Sequence, residues 1–246
     1  MLSNAALEFR ARIESQSEFL STCDGGDPGS PDKPSIWLLG LEPGWSLADQ
    51  AAAEASDVAA DQELEAYSID LQLKWPFNRN AFKLLTAIGG GQPENYREFA
   101  KSAQPFVSGS KGYLKGNLFP VPFNNLADWD DVATATTGFA TKDEYKAWVR
   151  AVRFPILKGW IEQCRPRLLI GSGTTHLSDF LEIVGANETP RTFEFEVNGH
   201  RKRIFISESG IVPVVIIPHL SGGSHSLNSN DAIARAAAII RTELKI

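Results

Sequence analysis

The chain has 246 residues, 43% of them hydrophobic, which is enough for one large domain or two small ones with a full core. Its net charge of −6 disfavours nucleic-acid binding by bulk electrostatic attraction, although it leaves room for a local basic groove. Two cysteines, Cys23 and Cys164, are too few for a disulfide framework or a four-cysteine iron–sulfur cluster. With no apolar segment of signal-peptide or membrane-span length, the sequence predicts a cytoplasmic protein that does not bind membranes.

The first half of the chain predicts helices around one buried strand. Residues 3–21 have the apolar spacing of an amphipathic helix, and 23–34 form a loop rich in Gly, Pro and Asp. The segment "SIWLLG" (35–40) is almost wholly apolar, which is typical of a strand covered on both faces. A helix is expected to begin at Ser46, and another to cover residues 78–90.

The second half continues the alternation of strands and helices. An Asn-Gly turn at 198–199 between alternating segments predicts a β-hairpin over 191–207. The other expected elements are a strand followed by a rigid loop in 113–125, a long helix over 142–164, a strand and helix in 165–181, a buried strand in 211–218 and a helix over 228–244.

This alternation, without a linker or a repeat, predicts one α/β domain spanning residues 1–246, with a mostly parallel sheet and helices on both faces. Residues 1–34 are expected to be peripheral to it. Ligands of such folds bind at the carboxyl ends of the strands. Four polar loops follow predicted strands, namely "GLEPGWS", "GSGTTH", "PHLSGGSHS" and the loop around Asn117.

Three polar residues of these loops are candidates for a site, and each has an alternative structural role. Glu42 either caps the helix that follows it or places a carboxylate where it can orient water or face positive charge. His219 is either a hydrogen-bonded core residue or a group that meets a ligand in a flexible loop. Asn117 either forms a turn or recognises an amide or base edge. The segment 221–228 could bind a phosphate through backbone amides.

Three segments, taken together and in order, resemble motifs of the uracil-DNA glycosylase superfamily. They are "GLEPG" (40–44), "CRPRLLIGSGTTHLSDFL" (164–181), which resembles the strand, glycine and helix between the two motifs of many members, and "PHLSGGS" (218–224). In addition, "GNLFPVPF" (116–123) lies where family members have an asparagine that reads the base. The resemblance implies a three-layer α/β/α fold with a central sheet of about four strands. It also implies DNA repair by base excision, in which the N-glycosidic bond of a damaged or modified base is cleaved without a cofactor or metal ion.

The resemblance also assigns residues. It implies catalytic roles for Glu42 and His219. Base binding falls to Asn117, Gly40, Leu41 and Gly44, with Trp45 and Phe123 as the candidate aromatic residues. The DNA or phosphate contacts are Ser221, Gly222, Gly223 and Ser224.

Departures from the family pattern affect the expected substrate. Gly44 stands where uracil-specific members have a tyrosine that excludes a C5 methyl group, so strict selection of uracil is not expected. Leu220 and Gly222 replace prolines, and Gly223 stands where members carry a side chain that enters the duplex. These changes favour single-stranded DNA over duplex DNA.

Two other functions stay open from the sequence. One is a non-catalytic protein of the same fold that binds a nucleobase, a nucleotide or nucleic acid. The other is hydrolysis of a free nucleoside or nucleotide, for which an acidic protein is not disadvantaged. In each case the partner is DNA, single- or double-stranded, or another nucleobase-containing ligand, and the protein is expected to be a monomer.

Overall fold

The computed structural model describes residues 2–43, 68–121 and 129–246. Its main feature is a seven-stranded sheet with the order β1-β5-β4-β6-β9-β8-β7. The strands are β1 (Gly25–Gly26), β4 (Ile36–Gly40), β5 (Tyr113–Asn117), β6 (Leu168–Ser172), β7 (Arg191–Val197), β8 (His200–Ser207) and β9 (Val214–Ile217). A separate two-stranded ribbon is formed by β2 (Gly29–Ser30) and β3 (Lys33–Pro34).

The α-helices are α1 (Asn4–Glu14), α2 (Ile69–Gln72), α3 (Pro76–Ile88), α4 (Tyr96–Ala103), α5 (Asp131–Thr137), α6 (Lys142–Cys164), α7 (Leu177–Ile183) and α8 (Asn230–Leu244). Short 3₁₀ turns occur at Leu20–Thr22, Pro93–Asn95 and Thr174–His176. Within the described parts of the chain, no helix has both the length and the apolar character needed to cross a membrane.

The core has two halves, one on each face of the sheet. Along β4, Ile36 and Leu38 belong to one hydrophobic cluster while Trp37 and Leu39 belong to the other, because successive side chains of a strand point to opposite faces. The first cluster includes side chains of α3 and α8, and the second includes side chains of α1, α6 and α7. Strands β4 and β9 are apolar throughout because both of their faces are covered.

The predicted α/β class and the hairpin over 191–207 are confirmed, but the expected count of about four strands is wrong. Four strands, in the order β5-β4-β6-β9, do form a parallel centre. The hairpin adds two strands, since β8 pairs antiparallel with β9 and β7 pairs with β8, and β1 pairs antiparallel with β5, which makes seven strands. The alternating pattern indicates a hairpin but not its neighbour in the sheet, and a strand of two glycines carries no β propensity.

The N-terminal segment, which was predicted to be peripheral, is part of the sheet and of the core. Helix α1 ends at Glu14, earlier than the predicted 3–21, because Ser15 adopts an extended conformation. Beyond it, Phe19 is buried, with its ring centroid 6.2 Å from that of Trp37 and 5.2 Å from that of Trp160. The helix predicted to begin at Ser46 lies outside the described residues.

Two glycines offer a matched test of the packing around α6 and β6. A Cβ atom on Gly171 would lie 2.7 Å from ring atoms of the fully buried Phe180, so we expect Gly171→Ala to destabilise the fold by about 1–3 kcal/mol. In α6, a Cβ atom on Gly159 meets only Gln16 at 3.9 Å, and Gly159→Ala is expected to stabilise the fold by up to about 1 kcal/mol. Urea unfolding of both variants measures the difference, and equal effects would contradict this account of the packing.

Candidate functional site

A cavity of about 460 Å³ opens at the carboxyl ends of β4 and β5. Pockets that bind small ligands have this size. It forms there because the chain leaves β4 and β5 towards opposite faces of the sheet. Helix α3, which follows β4, packs in the first hydrophobic cluster, and helix α6, which follows β5, packs in the second. One wall is apolar and comes from Leu71, Trp75, Pro76 and Phe77; the polar lining groups are Asp24, Glu42, Asn78, Lys115, His219 and Ser221, with Gly40 between them.

Glu42 reaches the cavity two residues after β4. Its side chain is only 6% exposed and is paired with two lysines of α6. Lys142 Nζ donates to Oε2 at 3.1 Å, and Lys146 Nζ lies 3.7 Å from Oε1. Oε1 is buried and accepts no hydrogen bond from any described residue. Because Glu42 lines the cavity, a water or a ligand hydroxyl that enters it can donate to this carboxylate.

The two lysines also set the charge at Glu42. Two ammonium groups stand against one carboxylate, and all three side chains are at most 14% exposed. In such a low-dielectric setting the positive charges offset the field of the carboxylate strongly. Glu42 is therefore better suited to accept a hydrogen bond from a water molecule and to orient it than to neutralise a full positive charge alone.

His219 follows β9 and is held by the loop after it. The backbone N–H of Leu227 donates to the His219 carbonyl at 2.9 Å, and the N–H of Ser221 donates to Nδ1 at 3.2 Å. The Ser221 hydroxyl, 3.1 Å from Nδ1, can also donate to it, whereas the Ser221 carbonyl at 3.0 Å can only accept. We assign Nδ1 as the acceptor because two of its three contacts can donate to it. The ring proton is then on Nε2, which donates to no described residue. Beside it, the Phe77 ring centroid is 5.4 Å away.

Asn117 lies next to the cavity but is not among its lining residues. Its side chain is buried, and Nδ2 donates to Asp24 Oδ1 at 3.0 Å. A Cβ atom on Gly40 would come within 2.5 Å of Asn117 Oδ1, so the backbone of β4 lies directly against this amide. The neighbouring charged pair lines the cavity instead, with Lys115 Nζ 2.8 Å from Asp24 Oδ2.

The other predicted site residues are distributed as follows. Ser221 lines the cavity, whereas Gly222, Gly223 and Ser224 are exposed in the loop after it, and both glycines have left-handed φ angles of 70° and 68°. Leu41 is buried in the second hydrophobic cluster against Gly173 rather than in the cavity lining. The predictions for Gly44, Trp45 and Phe123 lie outside the described residues.

Several lining and supporting residues were missed at the sequence level. Asp24 belongs to a segment assigned to a loop, and it reaches the cavity only because its N–H donates to the Lys115 carbonyl at 2.9 Å beside β1. Lys115 could have been noticed in the sequence, because a charged residue within a short strand needs a partner of opposite charge when it is buried. Lys142 and Lys146 lie one helical turn apart, a spacing that places both on the same face of α6.

A second buried carboxylate, Asp179, is paired with Arg150, which lies one helical turn after Lys146 in α6. Asp179 accepts two hydrogen bonds from Arg150, at 2.7 and 3.0 Å, and its Oδ2 is 2.6 Å from His176 Nδ1. Burial alone would raise the pKa of Asp179, but the hydrogen bonds from His176 and Arg150 lower it to about 2. The His176 ring in turn packs on Phe119 at 5.5 Å, so this cluster braces the strand ends around the cavity.

The lowered pKa of Asp179 predicts acid sensitivity. Because the folded state binds the proton more weakly than the unfolded chain, the stabilisation is complete above about pH 4 and is lost as the pH falls towards 2. Since Arg150 is partly exposed, we expect this contribution to be about 1–2 kcal/mol. Urea unfolding at a series of pH values should show a flatter acid limb for Asp179→Asn, and the same slope in both proteins would contradict it.

Comparison of the sequence with models of protein families gave no match, and comparison with curated proteins gave no significant match. The geometry of the cavity is therefore the basis of the function proposed below.

Proposed function

We propose that this protein is a glycosylase-like hydrolase that cleaves the N-glycosidic bond of a damaged or modified base, and that it acts on single-stranded DNA. One observation carries the proposal: Glu42 and His219, which are far apart in the sequence, line the same cavity beside an aromatic wall. A carboxylate, an imidazole donor and a flat apolar surface are the groups that this reaction needs.

Each group has a step to perform. Departure of the base leaves positive charge on the sugar, and a water held by Glu42 Oε1 can add to that carbon. The base departs with negative charge, and His219 Nε2–H can donate a hydrogen bond to its carbonyl oxygen or ring nitrogen. One such donor in a dry site contributes about 3 kcal/mol to the lowering of the barrier. Stacking on Trp75 or Phe77 would contribute about 1–3 kcal/mol to binding.

The loop after His219 supports a single-stranded substrate. Gly222 and Gly223 have no side chain that could enter a duplex and take the place of an extruded base. Extrusion from a duplex costs a few kcal/mol, which a single strand does not require. The net charge of −6 also favours contact with a few phosphates of the DNA over contact with a long stretch of its backbone.

A second candidate function is binding of a nucleobase or nucleotide without catalysis. The two lysines favour it, because Glu42 paired with Lys142 and Lys146 also has the contacts of a purely structural ion pair. In this case the cavity and its aromatic wall would be kept while the carboxylate stabilises α6 against the end of β4.

A base-release assay separates these functions. Oligonucleotides that contain uracil, hypoxanthine or modified pyrimidines are tested as single and double strands, alongside the corresponding free nucleosides. Release that is lost in Glu42→Gln and in His219→Ala supports the hydrolase. Binding without release supports the second candidate. Release from nucleosides but not from oligonucleotides would redirect the proposal to a nucleoside hydrolase, and no release or binding at all contradicts both.

A further inference from the structure

We propose that Asp24 and Lys115, rather than Asn117, recognise the base, and that they select an amidine edge, in which a ring-nitrogen acceptor stands beside an exocyclic amino donor. Cytosine and adenine derivatives present this edge, whereas uracil and hypoxanthine present a ring N–H beside a carbonyl. The inference rests on the proposed function, because it takes the cavity to be the site of the base.

The first step concerns which polar groups face the base. Asp24 and Lys115 line the cavity with partly accessible side chains, 16% and 10% exposed. Asn117 does not line the cavity; its Nδ2 donates to Asp24 Oδ1, and the Gly40 backbone lies next to its Oδ1. Asn117 therefore positions Asp24. A carboxylate retains acceptor sites after two hydrogen bonds, so Asp24 can accept from a ligand while it holds Asn117 and Lys115.

The second step concerns the order of these groups along the wall. The Phe77 ring contacts both His219, with centroids 5.4 Å apart, and the Lys115 ammonium, which lies 5.2 Å from the ring centroid. Lys115 in turn contacts Asp24. The contacts therefore run from His219 through Phe77 to Lys115 and Asp24, which presents a donor, a second donor and an acceptor.

The third step matches this order to the edges of the bases. Donor, donor and acceptor complement an acceptor, an acceptor and a donor, which is the order of O2, N3 and the 4-amino group in cytosine. Adenine matches the last two of these groups, with N1 as the acceptor and the 6-amino group as the donor, and has C2–H at the first position. In uracil, the ring N–H would face the Lys115 ammonium and the O4 carbonyl would face the Asp24 carboxylate, so two buried polar groups would be left unsatisfied.

The test is binding of free bases that differ only in this edge, measured by calorimetry on the folded chain. The pairs are cytosine with uracil, 5-methylcytosine with thymine, and adenine with hypoxanthine. We expect the amino member of at least one pair to bind about 10–100-fold more tightly than its carbonyl partner, since a hydrogen bond to a charged group contributes about 1.5–3 kcal/mol. The double variant Asp24→Asn/Lys115→Met, which removes both charges together, should reduce the difference to about threefold or less.

Asn117→Ala is the matched control. It should weaken binding of both members of a pair alike, because it loosens Asp24 without changing the edge that the base meets. Tighter binding of a carbonyl member, no binding of any base, or discrimination that disappears in Asn117→Ala but survives in the double variant would each overturn the inference. If base release requires Glu42 but the preference between bases does not depend on Asp24, this inference is overturned and the proposed hydrolase activity is not. If the protein binds amino bases preferentially but releases no base, the hydrolase activity is overturned and this inference is not.

Discussion

Glu42→Gln is expected to lower the rate of base release by a factor of about 10² or more, because an amide cannot take a proton from the attacking water. The neutral amide can still occupy the same volume and accept a hydrogen bond at its oxygen, so binding of the base should change much less than the rate. Single-turnover release from the best oligonucleotide of the panel measures the step. A rate within about threefold of the original protein would show that the carboxylate has no part in the chemistry.

The two lysines require a control for this substitution. Glu42→Gln leaves Lys142 and Lys146 without their carboxylate, and uncompensated buried charge destabilises a fold. The variant Glu42→Gln/Lys146→Met keeps the net charge of the cluster, since one acid and one base are removed together. We expect it to unfold at a higher urea concentration than Glu42→Gln and to be as slow in base release. Recovery of the rate in the double variant would assign the loss to folding.

Lys115→Met is expected to destabilise the protein by about 3 kcal/mol, because it leaves the Asp24 carboxylate in a largely buried setting with its ammonium partner removed. The methionine keeps most of the apolar stem, so the loss reports mainly on the charge. Unfolding in urea with a constant m-value is the measurement.

The partner substitutions complete a double-mutant cycle. Asp24→Asn should destabilise in the same way, because it removes the carboxylate of the ion pair and leaves the Lys115 ammonium in place. With both changes, Asp24→Asn/Lys115→Met should recover most of the loss. If the losses in free energy of unfolding of the two single variants add up in the double variant, Asp24 and Lys115 are not coupled as their 2.8 Å contact indicates.

The residues of the site that could be predicted are those placed by the β-strand that directly precedes them in the sequence. Glu42 and His219 each come within two residues of the end of a buried strand, and parallel strands bring their carboxyl ends to one edge of a sheet. That argument needs no knowledge of which strands are neighbours. The hairpin was predictable for a similar reason, since its turn and alternation are local in sequence.

The rest of the site depends on contacts between distant segments. Asp24 lies in a loop by composition, and a two-glycine strand places it beside Lys115. Nothing in the sequence indicates that Asp24 and Lys115 are in contact. Asn117 is predicted to meet the ligand because its type suits a base edge; in the structure its amide donates to Asp24 and lies next to Gly40, and neither contact can be read from the sequence. Whether a polar side chain faces the cavity or packs against another segment depends on contacts between segments that are distant in the sequence.

The antiparallel pairing of β1 with β5 has a practical consequence for anyone who shortens this chain. A fragment that starts at β4 would keep all four parallel strands, yet it would lose Asp24 along with Phe19 and the edge of the sheet. Its cavity would stand open to solvent on one side, with Lys115 stripped of its counter-charge. Trimming at the first obvious strand would therefore yield a protein altered in selectivity as well as in stability.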